Sequence, residues 1–270
     1  MKAFDKYEKL KSIVKECESL LVAFSGGVDS SFLARVACDA LKGRTLAVTA
    51  VSESLPKSEK IQAKTIALEI GIPHLFIESG EMGNSEFLKN SYTRCYFCKS
   101  DLFERLRSIA REKGFKFIAY GANADDEGDF RPGSRAALEF GAIAPLREAG
   151  LTKEEIRLLS RELGLSTWNK PSKACLSSRI PYGEEITAEK LRQIEMAEEA
   201  LEMLGFRQLR VRHHGSIARI ELGAEELDRI GNPRMRNEIV RLVKKAGFKF
   251  VTIDLEGYRM GPFNPGRSPK

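Results

Sequence analysis

Residues 23–31 read AFSGGVDSS and follow directly on the short apolar run SLLVAF, residues 19–24. The run has the length and composition of a strand buried on both faces. From Val28 the apolar residues return at helical spacing in VDSSFLARVACDALKG, which stops at Gly43. The local reading is therefore strand, glycine turn, helix. Glycines let the backbone close on a ligand, and the first N–H groups of the helix, carrying roughly half a unit of positive charge, face it; phosphate is the natural guest. The turn matches neither the Walker pattern, since no Gly-Lys-Ser/Thr follows, nor G-x-G-x-x-G. Without a ligand the same residues would form an ordinary glycine-rich connection.

Outward from this turn the pattern repeats. KYEKLKSIVKECESL places Tyr7, Leu10, Ile13, Val14 and Cys17 on one helical face. RTLAVTAVS and PHLFIES read as strands around the helix PKSEKIQAKTIALEIG; a further helix, CKSDLFERLRSIAREKG, follows a cysteine pair and leads to the strand FKFIAYG. Strands alternating with helices predict a mostly parallel sheet covered on both faces, which binds ligands beyond the carboxyl ends of its strands. Residues 121–150 are loop-rich, with GANADDEGDFRPGS packed with turn formers and acids, while LTKEEIRLLSRELG carries a Thr-x-x-Glu capping pattern and reads as helix. PYGEEIT, residues 181–187, reads as a linker. Beyond it, helix, two strands, helix and strand predict a small α+β layer of ferredoxin-like kind. The expected domains are 1–184 and 185–270.

With 270 residues the chain can bury a full core and carry a second small domain. No apolar run approaches the ~20 residues of a spanning helix, and the N-terminus lacks the apolar segment of a signal peptide; a cytoplasmic protein without membrane contact is expected. The net charge of +6, from 44 basic and 38 acidic residues, suits anionic small molecules and RNA equally. Five cysteines in a chain of this length make no disulfide framework, so reduced thiols are expected. Cys17 and Cys38 read as core thiols. Cys95 and Cys98, in TRCYFCKS, and Cys175, in KPSKACLSSR, read otherwise. A disulfide, a zinc site, a redox pair at a helix start and a three-cysteine iron–sulfur site all compete for them.

SGGVDS resembles the PP-loop of the ATP pyrophosphatases, the adenine nucleotide alpha-hydrolase-like enzymes that split ATP between its α and β phosphates and activate a substrate oxygen as an adenylate. The resemblance implies that Ser25, Gly26, Gly27, Asp29, Ser30 and Ser31 hold pyrophosphate, with Asp29 near Mg2+. YGANADD (120–126), PLREAGLTKEEIRLLSRELGL (145–165), KPSKACLSSRIPYGEEIT (170–187) and the terminal EGYRMGPFNP are similar to the LarE family, ATP-dependent sulfur transferases of the nickel-pincer cofactor pathway. This likeness spans nearly the whole chain. It implies adenylation of a pyridinium carboxylate mononucleotide derived from nicotinate, followed by replacement of a carboxylate oxygen with sulfur to give a thiocarboxylate.

The simpler LarE pattern has only the cysteine at the position of Cys175, whose own sulfur is sacrificed. The added Cys95 and Cys98 point instead to a 4Fe-4S cluster on Cys95, Cys98 and Cys175, with one iron open to a sulfide from an outside donor. That expectation requires folding to gather the three thiols at the mouth of the phosphate turn. Asn123, Asp125 and Asp126 follow a parallel strand, where acids meet ATP and Mg2+ or serve as solvated turn residues. Arg210 and Arg212 share one face of a strand, and guanidinium forks fit phosphate. The resemblance implies that they bind the substrate phosphate with Ser177 and Arg179; the alternative is a solvated basic face. His213 and His214 have no partner at metal-ligand spacing and read as surface residues. A homo-oligomer is expected and nucleic acid is not. The rivals are a tRNA thiolation enzyme, an amidating synthetase and a nucleotide-binding module without catalysis.

Overall fold

The computed structural model of the chain describes residues 2–126, 132–171 and 173–259. It opens with α1 (Ala3–Glu16), β1 (Leu20–Ala23), α2 (Val28–Leu41), β2 (Thr45–Val51), α3 (Lys57–Ile70) and β3 (His74–Glu78). The short α4 (Ser85–Leu88) is followed by α5 (Arg94–Lys113), β4 (Phe117–Tyr120), α6 (Pro132–Glu139), α7 (Pro145–Glu148) and α8 (Lys153–Glu162). The strands form a parallel sheet in the order β3-β2-β1-β4, with Leu20 beside both Thr45 and Phe117. Alternate residues of β1 enter separate cores. Leu20 and Val22 pack with Leu10, Val14 and Phe32, whereas Leu21 packs with Leu102, Phe103 and Leu106 of α5. That alternation is why both faces of the sheet carry helices, as the apolar runs predict.

Strand order turns back at β1, with β2 and β3 on one side and β4 on the other. In an open parallel sheet the crevice beyond the carboxyl ends at such a point receives ligands. Two segments meet there: the glycine turn after β1 and residues 121–126 after β4.

Packing divides the chain into two compact units, Met1–Glu81 with Thr93–Lys173, and Met82–Tyr92 with Ala174–Lys270. The division falls before 184 and draws in 82–92, because Asn90 ties these pieces together. Its amide donates to the carbonyls of Ile180 and Pro181 at 3.2 and 2.7 Å, and its own carbonyl accepts from the Gly183 N–H at 3.0 Å. PYGEEIT is thus part of the second unit and no linker. That unit continues with α9 (Ala188–Met203), β5 (Leu209–His214), β6 (Ile217–Leu222), α10 (Pro233–Lys245) and β7 (Phe250–Ile253). β5 and β6 are antiparallel, β6 and β7 parallel, over a core that includes Leu201, Phe206, Val211, Ile220 and Val243. The ferredoxin-like expectation is corrected on one point: that layer has a fourth strand, and the described residues supply three here.

The loop-rich stretch 121–150 also holds α6 and α7; Pro132 opens α6, whose Ala136 and Ala137 are buried. One further expectation changes. His213 is buried, its ring against Phe248 and its Nε2 3.1 Å from Gln193 Oε1, because β5 is covered on both faces. Residues 127–131 of the acidic loop and 260–265 of the terminal motif lie outside the described residues. No described helix is long and apolar enough to cross a membrane.

Candidate active site

In the first unit the glycine turn is built by steric need. Gly26 has φ +67°, and a Cβ there would stand 3.0 Å from the Cα of Ala63 on α3. Gly121, at the end of β4, passes so close to the start of α2 that a Cβ would lie 2.9 Å from the Ser30 nitrogen. Inside the turn the Ser25 and Ser30 hydroxyls are 3.0 Å apart, and Ser30 Oγ donates to the Gly27 carbonyl at 3.2 Å. These two serines brace the turn itself. Ser31 differs: its Oγ is buried with no partner among the described residues, the kind of orphan that a ligand oxygen would satisfy.

Asp29, in the first turn of α2, accepts from the Asn123 amide at 3.2 Å through Oδ1 and from Lys153 Nζ at 2.5 Å through Oδ2. The Lys153 N–H donates to Asp125 Oδ2 at 2.7 Å, and the Asn123 N–H donates to Asp126 Oδ2 at 3.0 Å. The expected residues Asp29, Asn123, Asp125 and Asp126 therefore converge. Lys153 is placed by the capping box at the start of α8, where Thr152 Oγ1 accepts from the Glu155 N–H at 3.3 Å and Glu155 Oε2 accepts from the Thr152 N–H at 2.9 Å. A second lysine, Lys170, donates to the Gly26 carbonyl at 3.1 Å and to Glu59 at 2.8 Å. Sequence reasoning missed both lysines, since nothing in local pattern tells a lysine near this turn from the chain's many surface ones.

The cysteine pair lies inside α5, which begins at Arg94, and does not precede the helix as expected. Spaced three apart in the first turns, Cys95 and Cys98 share a helix face. Nearby, Tyr96 Oη donates to Glu139 at 2.6 Å and the Arg135 guanidinium lies 4.1 Å from the Tyr96 ring centroid, so α6 is pinned to this end of α5. All five cysteines are thiols. Burial pushes the Cys17 and Cys38 thiols up, as expected of inert core cysteines. Cys95 is exposed and Cys98 half-buried in the first unit; Cys175, also exposed, belongs to the second. Among the described residues no group of three or more His, Cys, Asp or Glu side chains is gathered as a metal site.

In the second unit Cys175 precedes the 3₁₀ turn Leu176–Arg179. Arg179 is buried; its Nη1 donates to the carbonyls of Ala174 and Cys175 at 2.5 and 3.0 Å, while Nε and Nη2 reach the two oxygens of Glu198, each at 3.0 Å. Arg212 is held likewise, by Glu221 at 2.8 and 2.9 Å and by the Ser178 carbonyl at 2.8 Å. Both forks expected on a phosphate thus lie on carboxylates here and fix the backbone around Cys175. Arg210 differs. It is 9% exposed, donates from Nη2 to Tyr258 Oη at 3.0 Å and, among the described residues, meets no carboxylate and leaves Nη1 buried with no partner. Burial first, then the charges of Arg179 and Arg212, push its pKa down. Ser177 Oγ is a second buried orphan. A solvated basic face is therefore ruled out for Arg210 and Arg212. Glu198, Glu221 and Tyr258 escaped the sequence reading because acids on helices and strands ordinarily face water.

A parallel sheet whose first strand ends in a Ser-Gly-Gly-x-Asp turn, with lysines on that turn, defines an α/β nucleotide-binding protein of the PP-loop ATP pyrophosphatase class. The NAD synthase family model matches residues 5–112. The chain is 37% identical over 257 residues to the pyridinium-3,5-bisthiocarboxylic acid mononucleotide synthase of Lactiplantibacillus plantarum, covering 94% of this chain and 92% of that one. An uncharacterized protein of Synechocystis is 44% identical over 259 residues, covering 96% and 97%. A glutamine-hydrolyzing GMP synthase chain of Methanococcus vannielii is 28% identical over 171 residues, covering 58% and 54%. The chain belongs to the LarE family, that of the bisthiocarboxylic acid mononucleotide synthase, and is an ATP-dependent sulfurtransferase.

Proposed function

We propose that this enzyme adenylates a carboxylate of a nicotinate-derived pyridinium mononucleotide and exchanges a carboxylate oxygen for sulfur, giving a thiocarboxylate for a nickel-pincer cofactor. The observation that carries this reading is the second unit's exposed Cys175, whose backbone is gripped by Arg179 in a turn surrounded by buried arginines. A thiol on a fixed backbone beside a phosphate-binding group suits sulfur delivery to a phosphorylated substrate.

A substrate carboxylate oxygen attacks the α-phosphorus of ATP, the bond to the β-phosphate oxygen breaks, and pyrophosphate leaves. A sulfur nucleophile then adds to the activated carbonyl carbon, and AMP leaves with the original oxygen. Carboxylate oxygen is a poor leaving group and AMP a good one, which is the purpose of the first step. The N–H groups of the glycine turn, Ser31 and the amines of Lys153 and Lys170 would hold the phosphates. Asp29 fits Mg2+, which takes one or two carboxylates together with substrate phosphates and so needs no larger protein cage. Arg210, neighboured by Arg179 and Arg212, and Ser177 would take the substrate phosphate.

Cys95, Cys98 and Cys175 are the proposed ligands of a 4Fe-4S cluster; two thiols on one face of a helical turn fit two of its corners. When bound, such a cluster supplies an iron without a protein ligand, to which a donor's sulfide can attach. The exposure of Cys175 favours one other route. Its thiolate attacks the adenylate to give a thioester, the Cα–H proton is lost, and the Cβ–S pair leaves with the thiocarboxylate, so that residue 175 ends as dehydroalanine. Mass and metal analysis of anaerobically purified, reconstituted protein separates the two. The cluster predicts brown protein with iron and labile sulfide and no sulfur transfer by Cys95→Ala. A colourless, iron-free protein that loses the mass of hydrogen sulfide from Cys175 in a single turnover selects the second route. Cys175→Ala should stop either one while leaving ATP–pyrophosphate exchange.

A further inference from the structure

Arg210 poses a physical problem. A guanidinium does not give up its proton, yet this one is buried, faces two like charges and has no carboxylate among the described residues. Its neighbours Arg179 and Arg212 each have one, in bidentate geometry. Left to itself, a long side chain so placed would swing toward solvent or toward Glu198 or Glu221. Tyr258 is what holds it: its Oη accepts from Arg210 Nη2 at 3.0 Å, and its ring centroid is 5.2 Å from the guanidinium carbon, within cation–π range.

Tyr258 is itself fixed by backbone. The Asp254 N–H donates to the Ile220 carbonyl at 2.8 Å, and the Tyr258 N–H to the Leu222 carbonyl at 2.7 Å. Between them the chain turns at Gly257, with φ +70°, where a Cβ would stand 2.8 Å from the Leu222 oxygen. A left-handed residue pressed on a carbonyl oxygen must be glycine, so the turn sets where the tyrosine ring falls.

We propose that Tyr258 is a positioning residue of the substrate-phosphate site: it holds the Arg210 fork by ring and hydroxyl so that Nη1 remains for an incoming phosphate. Tyr258 does not bind the phosphate; it removes the entropy cost of ordering the arginine that does. This rests on the reading above that Arg210 takes the substrate phosphate.

The test is calorimetric titration of the full chain with nicotinic acid mononucleotide, with its dephosphorylated nucleoside and MgATP as controls. Wild type is expected to prefer the mononucleotide over the nucleoside, and Arg210→Ala to lose that preference. Tyr258→Phe, which keeps the ring and removes the hydrogen bond, should weaken mononucleotide binding by about tenfold, with nucleoside and MgATP affinities unchanged; Tyr258→Leu should weaken it further. If Arg210→Ala loses the preference but Tyr258→Phe and Tyr258→Leu, folded by their melting temperatures, bind as wild type does, the positioning role is overturned and the phosphate site stands. If wild type shows no preference, or Arg210→Ala retains it, the phosphate reading itself has failed. If Tyr258→Phe loses MgATP and mononucleotide affinity equally, the tyrosine is only structural and the proposal is overturned.

Discussion

At Asp29 the carboxylate has two partners, Asn123 and Lys153. Lys153 holds the carboxylate that would meet a cation, and a bound triphosphate offers its ammonium a stronger partner. Asp29→Asn is therefore expected to lower kcat/KM for ATP–pyrophosphate exchange by about a hundredfold or more, whereas Lys153→Met should act mainly through the KM for MgATP, by about tenfold. Steady-state exchange kinetics measure both. Arg212 belongs to a different class. It and Glu221 are buried as a pair, with Arg219 also donating to Glu221 Oε1 at 3.0 Å, so Arg212→Ala removes the bidentate partner, leaves the carboxylate one guanidinium and should cost about 1–3 kcal/mol in a denaturant melt. A variant of unchanged stability with only a raised substrate KM would contradict that account.

Among the elements, β4 and α2 form a tight joint, where Gly121 meets the backbone of Asp29 and Ser30. Gly121→Ala must push that joint apart. It is expected to weaken MgATP binding and lower the melting temperature together; an unchanged nucleotide affinity would show that the joint does not shape the turn. Apolar period and turn residues made the strand, turn and helix on the α2 side of this joint legible in advance, but not that β4 would meet them at Gly121. The limits of α5 were not legible. Thr93 stands at the N-cap but its side chain makes no capping hydrogen bond, so no capping signature marks the helix start, and the cysteine pair could not be placed inside its first turns. Lys153, Lys170, Glu198 and Glu221 were hidden for a related reason: each acts through a partner on another element, and such pairing leaves no trace in local spacing.

Taken over all 270 residues, the chain divides its chemistry between two compact units, with the phosphate turn in the first and Cys175 with its arginines in the second. The alternation of strands and helices revealed the first unit. The second was blurred, because 82–92 joins it through bonds to residues about ninety positions away, those of Asn90 among them. A shared titration should mark both units. His74 in the first and His213 and His214 in the second are all pushed down, chiefly by burial. As pH falls below the ordinary histidine value of ~6.5, the unfolded chain takes up protons that the folded one refuses, so stability present above that pH is lost in acid. Denaturant midpoints should fall between pH ~7.5 and ~5.5, less steeply in His213→Asn. The most direct test of the central claim is the mass of the small-molecule product after anaerobic turnover with MgATP, a pyridinium carboxylate mononucleotide and sulfide. The account predicts AMP, pyrophosphate and a mononucleotide in which one oxygen has become sulfur; an unchanged mononucleotide, or one carrying nitrogen in place of that oxygen, would contradict it.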